Sequence, residues 1–267
     1  MISDREPRVL LCWSSGKDSA WTLHVLRRAG THVAALLSTI NAAFDRVAMH
    51  AVRTELLEAQ AQAAGCALIK SPIPFPCTNE EYESAMEAAL REARERFQIT
   101  HVAFGDLFLE DVRAYREERL RDSGLTPLFP LWGVPTDVLA REMIDSGLRA
   151  VLTCIDPKKL PRSLAGRTFD AALLADLPAG TDPCGERGEF HSFAYAGPMF
   201  TSDLSPIVGE VVERDGFVFA DVLLAEGDEA TFDEYGALTR EYLLKRGFCC
   251  GSGCRNCPYD HVAVPRP

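Results

Sequence analysis

Arg8-Val9-Leu10-Leu11-Cys12-Trp13-Ser14-Ser15-Gly16-Lys17-Asp18-Ser19 is the stretch on which the reading of this chain turns. The apolar run Val9-Leu10-Leu11 reads as a buried strand, and Lys17 to Ala29 reads as a helix closed by Gly30. Between them lies a short hydroxyl-rich loop with one lysine. Such a loop offers backbone N–H groups, serine hydroxyls and a helix N-terminus to an anion, a combination suited to phosphate. It is not a Walker loop, which needs glycine where Leu11 stands and Ser or Thr where Asp18 stands. Ser14, Ser15, Gly16, Lys17, Asp18 and Ser19 are therefore candidate phosphate-binding residues. Lys17 would neutralise phosphate charge, Ser14 and Ser19 would donate to phosphate oxygens, and Asp18 would hold Mg²⁺ or fix the loop.

Working outward, strand and helix signals alternate. His32 to Ile40 reads as a strand, Met49 to Ala64 as a helix closed by Gly65, and Ala67 to Ile73 as a strand. Thr78-Asn79-Glu80-Glu81 has the pattern of a capping box. It opens a helix whose apolar residues Tyr82, Met86, Ala89, Leu90, Ala93 and Phe97 share one face. A strand from His101 to Phe104 ends at Gly105-Asp106. A charged helix near Val112 to Ser123, a helix from Asp137 to Ser146 and a strand from Ala150 to Cys154 follow. This alternation predicts an α/β fold, a parallel sheet with helices on both faces. Ligands of such sheets sit beyond the carboxyl ends of the strands. The Ser14–Ser19 loop, the segment after Ile40 and Gly105-Asp106 are thus expected on one rim. After residue 158 the pattern becomes a smaller α+β region. It includes two strand-like runs, Ile207 to Glu213 and Phe217 to Leu224, joined by the hairpin signal Arg214-Asp215-Gly216. Thr231 to Lys245 reads as a helix. The expected organisation is 1–158, 159–245 and a cysteine-rich tail, 246–267.

With 28 Lys and Arg against 39 Asp and Glu, the formal net charge of −11 argues against a nucleic-acid partner. No apolar stretch is long enough to span a membrane, and the N-terminus lacks a signal-peptide pattern. Nine cysteines without an export signal read as reduced thiols, with metal as an option, and the cytosol is the expected compartment.

A second constellation is Gly185-Glu186-Arg187-Gly188-Glu189-Phe190-His191-Ser192, in which glycines surround two carboxylates and a histidine. By itself the signal is weak, and a solvated turn is the commoner reading of such a stretch. Together with the rest of the chain it carries a resemblance. Ser14–Ser19 resembles the SGGKDS signature of the PP-loop ATP pyrophosphatases, with Ser15 in place of the second glycine. Four matches resemble the diphthine–ammonia ligase family within that class. They are the loop itself, Arg46-Val47-Ala48-Met49-His50 after the second strand, the series from Phe104-Gly105-Asp106 through Arg113, Arg116 and Gly124-Leu125 to Pro130-Leu131-Trp132, and the Gly185–Ser192 motif.

The resemblance implies a Rossmann-type, adenine nucleotide alpha-hydrolase-like fold that uses ATP and Mg²⁺. It implies formation of an acyl-adenylate and pyrophosphate from a substrate carboxylate, followed by displacement of AMP by ammonia. Lys17, Glu186, Glu189 and His191 are the implied catalytic residues. Ser14 to Ser19, Met49, His50, Gly105 and Asp106 are the implied ATP-binding residues. The implied partners are ammonium and a carboxylate, on a small molecule or a protein side chain; a homodimer is left open. A PP-loop enzyme of RNA thiolation and a non-catalytic ATP-binding sensor are the alternatives.

The third constellation is Cys249-Cys250-Gly251-Ser252-Gly253-Cys254-Arg255-Asn256-Cys257. It resembles a short CCGSGCxxCPY module of small bacterial proteins and oxidoreductase-like tails. Cys249, Cys250, Cys254 and Cys257 have metal-ligand spacing for zinc or an iron–sulfur cluster. A mobile reduced tail and a Cys254–Cys257 redox pair are the competing readings.

Overall fold

A computed structural model describes residues 6–225, 239–246 and 255–259. The core is a mainly parallel sheet built from β1 (Arg8–Cys12), β2 (His32–Asn41), β4 (Ala67–Ile73), β5 (His101–Ala103) and β6 (Thr126–Leu128). Their order across the sheet is β4-β2-β1-β5-β6, all parallel. A two-residue strand, β3 (Arg46–Val47), pairs antiparallel with the end of β2.

Helices α1 (Lys17–Arg28), α2 (Thr54–Ala63), α3 (Asn79–Phe97) and α4 (Glu110–Leu120) fill the crossovers. The path moves outward from β1 to β2 to β4, then crosses back to β5 and on to β6. Right-handed crossovers running in opposite directions place α1 and α2 on one face and α3 and α4 on the other. Leu10, Leu37, Ile69 and Val102 are buried with Ala89 and Ala93 of α3 and Leu120 of α4. The strand order reverses between β1 and β5, which is where such sheets open a ligand crevice. The capping box forms as read: Glu81 N–H donates to Thr78 Oγ1 (3.2 Å), and Thr78 N–H donates to Glu81 Oε2 (2.8 Å).

Two readings of the sequence change. The segment from Met49 is not helical until Thr54. Residues 45–53 instead form a turn in which Asp45, Met49 and Ala51 take left-handed backbone angles. The strand expected at Ala150–Cys154 exists as β7 (Arg149–Ile155) but leaves the parallel sheet. It joins a four-stranded antiparallel sheet with β8 (Phe190–Ala196), β9 (Pro206–Arg214) and β10 (Phe217–Leu224), in the order β8-β7-β10-β9. Its six buried residues in succession have the look of a parallel-sheet strand, because both faces are covered in either setting. The β9–β10 turn has positive φ at Asp215 and Gly216, the type I′ geometry that the hairpin signal demands. Helix α5 (Thr136–Asp145) precedes β7, and α6 (Ala171–Asp176) is capped by Asp170.

Residues through Leu204 together with Val208–Leu223 form one compact unit. Ser205–Ile207 and the described residues from Leu224 onward, including α7 (Arg240–Arg246), form a second. Within it, Tyr259 Oη donates to the Leu244 carbonyl (3.3 Å). No helix among the described residues is long and apolar enough to cross a membrane.

The two sheets of the first unit meet through Gln60, a fully buried residue of α2. Its Oε1 accepts from the Trp13 indole (2.6 Å), and its Nε2 donates to the carbonyls of Ser15 (2.9 Å) and Ala194. Gln60→Leu keeps the volume but strands the indole N–H and removes a donor from Ala194. It should lower unfolding free energy by roughly 2–4 kcal/mol in a denaturant titration, at about 1–3 kcal/mol per orphaned buried group. A loss well below this range would mean that Gln60 does not join the sheets.

Candidate active site

The loop after β1 turns through Ser15, whose φ of 68° lies in the left-handed region. That is the position where the SGGKDS signature has glycine, the residue that takes this backbone without strain. The turn aims the Ser15 carbonyl at the second sheet, where it accepts from Ala194 N–H (3.0 Å) and from Gln60. The Ser15 hydroxyl is fully buried and makes no hydrogen bond. Ser14 Oγ lies 3.3 Å from Ser19 Oγ and accepts from Gly16 N–H (3.3 Å), and Ser19 Oγ donates to the Gly16 carbonyl (3.0 Å). Gly16, the N-cap of α1, has no side chain with which to cap the helix. A Cβ at Gly16 would come within 2.7 Å of the His50 ring, so the glycine admits that histidine. A Cβ at Gly105 would sit 3.2 Å from the backbone of Asp18 and Ser19, so the end of β5 abuts the start of α1.

The Gly185–Ser192 motif closes over this loop. Ser192 Oγ accepts from Lys17 N–H (3.2 Å), and the Ser192 carbonyl lies 3.0 Å from His50 Nδ1. A carbonyl only accepts, so Nδ1 carries the proton and Nε2 is left as an acceptor. Lys17 is 2 % exposed. Its ammonium donates to the Asp18 carboxylate (2.8 Å) and the Cys184 carbonyl and lies over the rings of Phe169 and Phe190. Burial works against that charge, but Asp18 outweighs it and holds the lysine pKa above its ordinary value.

These elements enclose a cavity of about 370 Å³. Its walls include Ser14, Lys17, Asp18, Ser19, Met49, His50, Gly105, Asp106, Glu186 and His191, so residues from four separate segments share one space. Asp106 is held by a two-point ion pair with Arg116, whose guanidinium lies over Phe104. Glu186 Oε1 accepts from Leu107 N–H (2.8 Å), tying the motif to the loop after β5. Burial, with the charges of Asp18 and Asp106, raises the Glu186 pKa to about 7. The His50 and His191 rings lie with centres 4.6 Å apart, tilted 43° to each other. Burial and the neighbouring His191 lower His50 to about 3; burial and Lys17 lower His191 to about 4. Both imidazoles are neutral at pH 7. Burial pushes the Cys12 thiol in the same wall up to about 12, so it stays protonated.

Two expected residues do not line the cavity. Ser15 is buried beneath it, and Glu189, 4 % exposed, accepts from Asp182 N–H (3.4 Å) inside its own loop with one carboxylate oxygen unpartnered. Tyr82 and Met86 of α3 were read as core positions, yet their face reaches past the sheet into the cavity wall. Gln60 carried no signal beyond a polar residue among apolar neighbours in a helix. Of the cysteines read as metal ligands, Cys249, Cys250 and Cys254 lie outside the described residues; Cys257 lies within them, half-buried. Among the described residues, no group of three or more His, Cys, Asp or Glu is arranged to hold a metal ion.

Ser15→Gly removes both the left-handed side chain and the orphaned hydroxyl. Against a glycine entropy cost of about 0.5–1 kcal/mol, it should gain roughly 1 kcal/mol of stability. A lowered denaturation midpoint would show instead that the hydroxyl is bonded.

The chain is similar to known proteins along most of its length. The family described as diphthamide synthase N-terminal domain matches residues 7–127, and diphthamide synthase C-terminal domain matches 135–217. A family of unknown function, DUF5522, matches 225–263. The chain is 26% identical to a diphthine–ammonia ligase of Bos taurus and 27% identical to that of Homo sapiens. Each alignment spans 240 residues, 80% of this chain and 88% of the relative. A diphthine–ammonia ligase of Danio rerio is 27% identical over 237 residues, covering 80% and 92%. Matches to both diphthamide synthase domains, in order, and to relatives over 80% of the chain support its membership of the diphthine–ammonia ligase family.

Proposed function

We propose that the protein is an ATP-dependent ligase that joins ammonia to a substrate carboxylate, forming AMP and pyrophosphate. The observation that carries this reading is the meeting of the α1 N-terminus, Lys17 and Asp18 with Glu186 and His191 around one cavity. ATP would lay its phosphates at the Ser14–Ser19 loop, with Met49 and His50 on the nucleoside side. Three carboxylates, Asp18, Asp106 and Glu186, line the cavity against two cations, Lys17 and Arg116. That balance disfavours a bare polyphosphate and suits one that carries Mg²⁺. The donors are hard oxygens, the type Mg²⁺ takes one or two at a time beside substrate phosphates. Asp18 would hold the ion, which when bound neutralises phosphate and leaving-group charge.

In the free protein Lys17 is occupied by Asp18 and the Cys184 carbonyl. A phosphate oxygen competing for the ammonium would release the Asp18 carboxylate toward the metal. The acceptor carboxylate oxygen attacks the α-phosphorus, the α–β bridging bond breaks, and pyrophosphate leaves against Lys17 and the loop amides. Ammonia nitrogen then attacks the acyl carbon, the acyl–phosphate bond breaks, and AMP departs. Glu186, titrating near neutrality, takes the proton lost from nitrogen. Neutral His191 borders the same space as a hydrogen-bonding group. Glu189 contributes by holding the loop backbone at Asp182.

Incubation with Mg²⁺, ATP, ammonium and a pool of carboxylates tests the reaction. AMP with pyrophosphate is expected, and ADP with phosphate would overturn it. Lys17→Ala should cut AMP formation by roughly 100-fold or more; retained turnover removes the loop from the chemistry. The pH profile tests the base. A carboxylate with its pKa at about 7 is protonated and inactive below that value, so kcat/KM should rise through pH 7 and level off above it. Glu186→Gln should lower the plateau and abolish this rise; a profile that keeps its shape assigns the base elsewhere.

A further inference from the structure

Arg46 and Arg53 stand opposite each other across an antiparallel bridge that closes the 45–53 turn. Like charges directly opposite repel. Both guanidiniums reach one carboxylate, Asp221 of β10. Oδ1 accepts from Arg46 (2.9 Å) and from Arg53 Nε (3.1 Å), and Oδ2 accepts from a second Arg53 nitrogen (2.6 Å). Burial works the other way, yet the bonds from Arg53 and Arg46 hold this carboxyl below its ordinary pKa. The turn has unfavourable backbone to maintain, with three non-glycine residues at positive φ. Each costs of the order of 1 kcal/mol or more and persists only where its surroundings dictate it. Within the turn, Arg46 donates to the Ala51 carbonyl (2.8 Å), and Thr54 Oγ1 donates to Asp45 (2.7 Å). The β9–β10 hairpin adds a second tie through Arg214, which lies over Phe44.

We propose that Asp221 is a positioning residue for the cavity. It offsets the repulsion between Arg46 and Arg53 and so fixes the turn that presents Met49 and His50. The consequence reaches the loop after β1, because His50 packs on Gly16 and bonds the Ser192 carbonyl. Asp221 lies beyond residue 217, where the C-terminal diphthamide synthase match ends, and before 225, where the next match begins. The role rests on the reading of the cavity as a nucleotide site.

The test uses the full chain and two readouts: hydrogen exchange of residues 45–53 without nucleotide, and MgATP affinity by calorimetry. Asp221→Asn should speed exchange across the turn. It should weaken MgATP by roughly three- to tenfold, since a site competent for part of the time binds in proportion to that fraction. Asp221→Glu should restore both, and Glu213→Gln, on the same hairpin but paired with Arg162, should change neither. In an Arg53→Met background the Asp221→Asn effect should shrink, because the repulsion it exposes has gone. Unchanged exchange overturns the tie. Faster exchange with MgATP affinity intact overturns the positioning role. Wild-type chain that binds no MgATP overturns the nucleotide reading and this role with it.

Discussion

The carbonyl of Ser15 is the point from which the site is built. A left-handed turn points it away from the parallel sheet, and the second sheet meets it with the Ala194 N–H while Gln60 meets it from α2. That junction fixes the register of β8 against the start of α1. Ser192 then falls on the Lys17 amide, and the Ser192 carbonyl falls on His50. Without it the loop after β1 would be an ordinary strand–helix connection. With it, the loop becomes one wall of a cleft whose other wall is the Glu186–His191 segment.

Charge in that space is arranged in matched pairs with one carboxylate left over. Lys17 is satisfied by Asp18, and Arg116 by Asp106. Glu186 has a backbone N–H and no cation of its own, and burial together with its acidic neighbours moves it toward neutrality. Both histidines are kept uncharged by burial. A buried ion pair costs more desolvation than a surface one, and removing either partner leaves an uncompensated charge. The pairs are therefore sensitive to a ligand that offers a new partner, which is how a phosphate or a metal ion would rearrange them.

Much of the parallel sheet was legible along the chain because its signals are local. Apolar runs of strand length, glycines closing helices and the Thr78–Glu81 box each depend on residues within a few positions. The second half of the turn, Met49 to Arg53, was misread as the start of a helix because its residues have no helix-breaking chemistry. Its left-handed backbone is enforced by β2, by Arg46 and Arg53, and by Asp221 far along the chain. The placement of β7 was misread because a strand buried on both faces looks the same in a parallel or an antiparallel sheet.

For the site, sequence by itself determined the residue types on offer: a hydroxyl-rich loop with one lysine, a Gly-Asp after a strand, and a loop of glycines, carboxylates and a histidine. Those assignments follow from side-chain type and short spacing, which the chain carries openly. Only the tertiary structure decided which of them share a space. It put Glu186 and His191 on the cavity wall and set Glu189 behind it, although only Arg187 and Gly188 stand between the two carboxylates. It also brought in Gln60, Tyr82, Met86 and Asp221, whose parts depend on contacts made across tens to more than a hundred residues of chain. Such contacts leave no periodic or local trace, because what selects each residue is the group it meets and not the residues beside it.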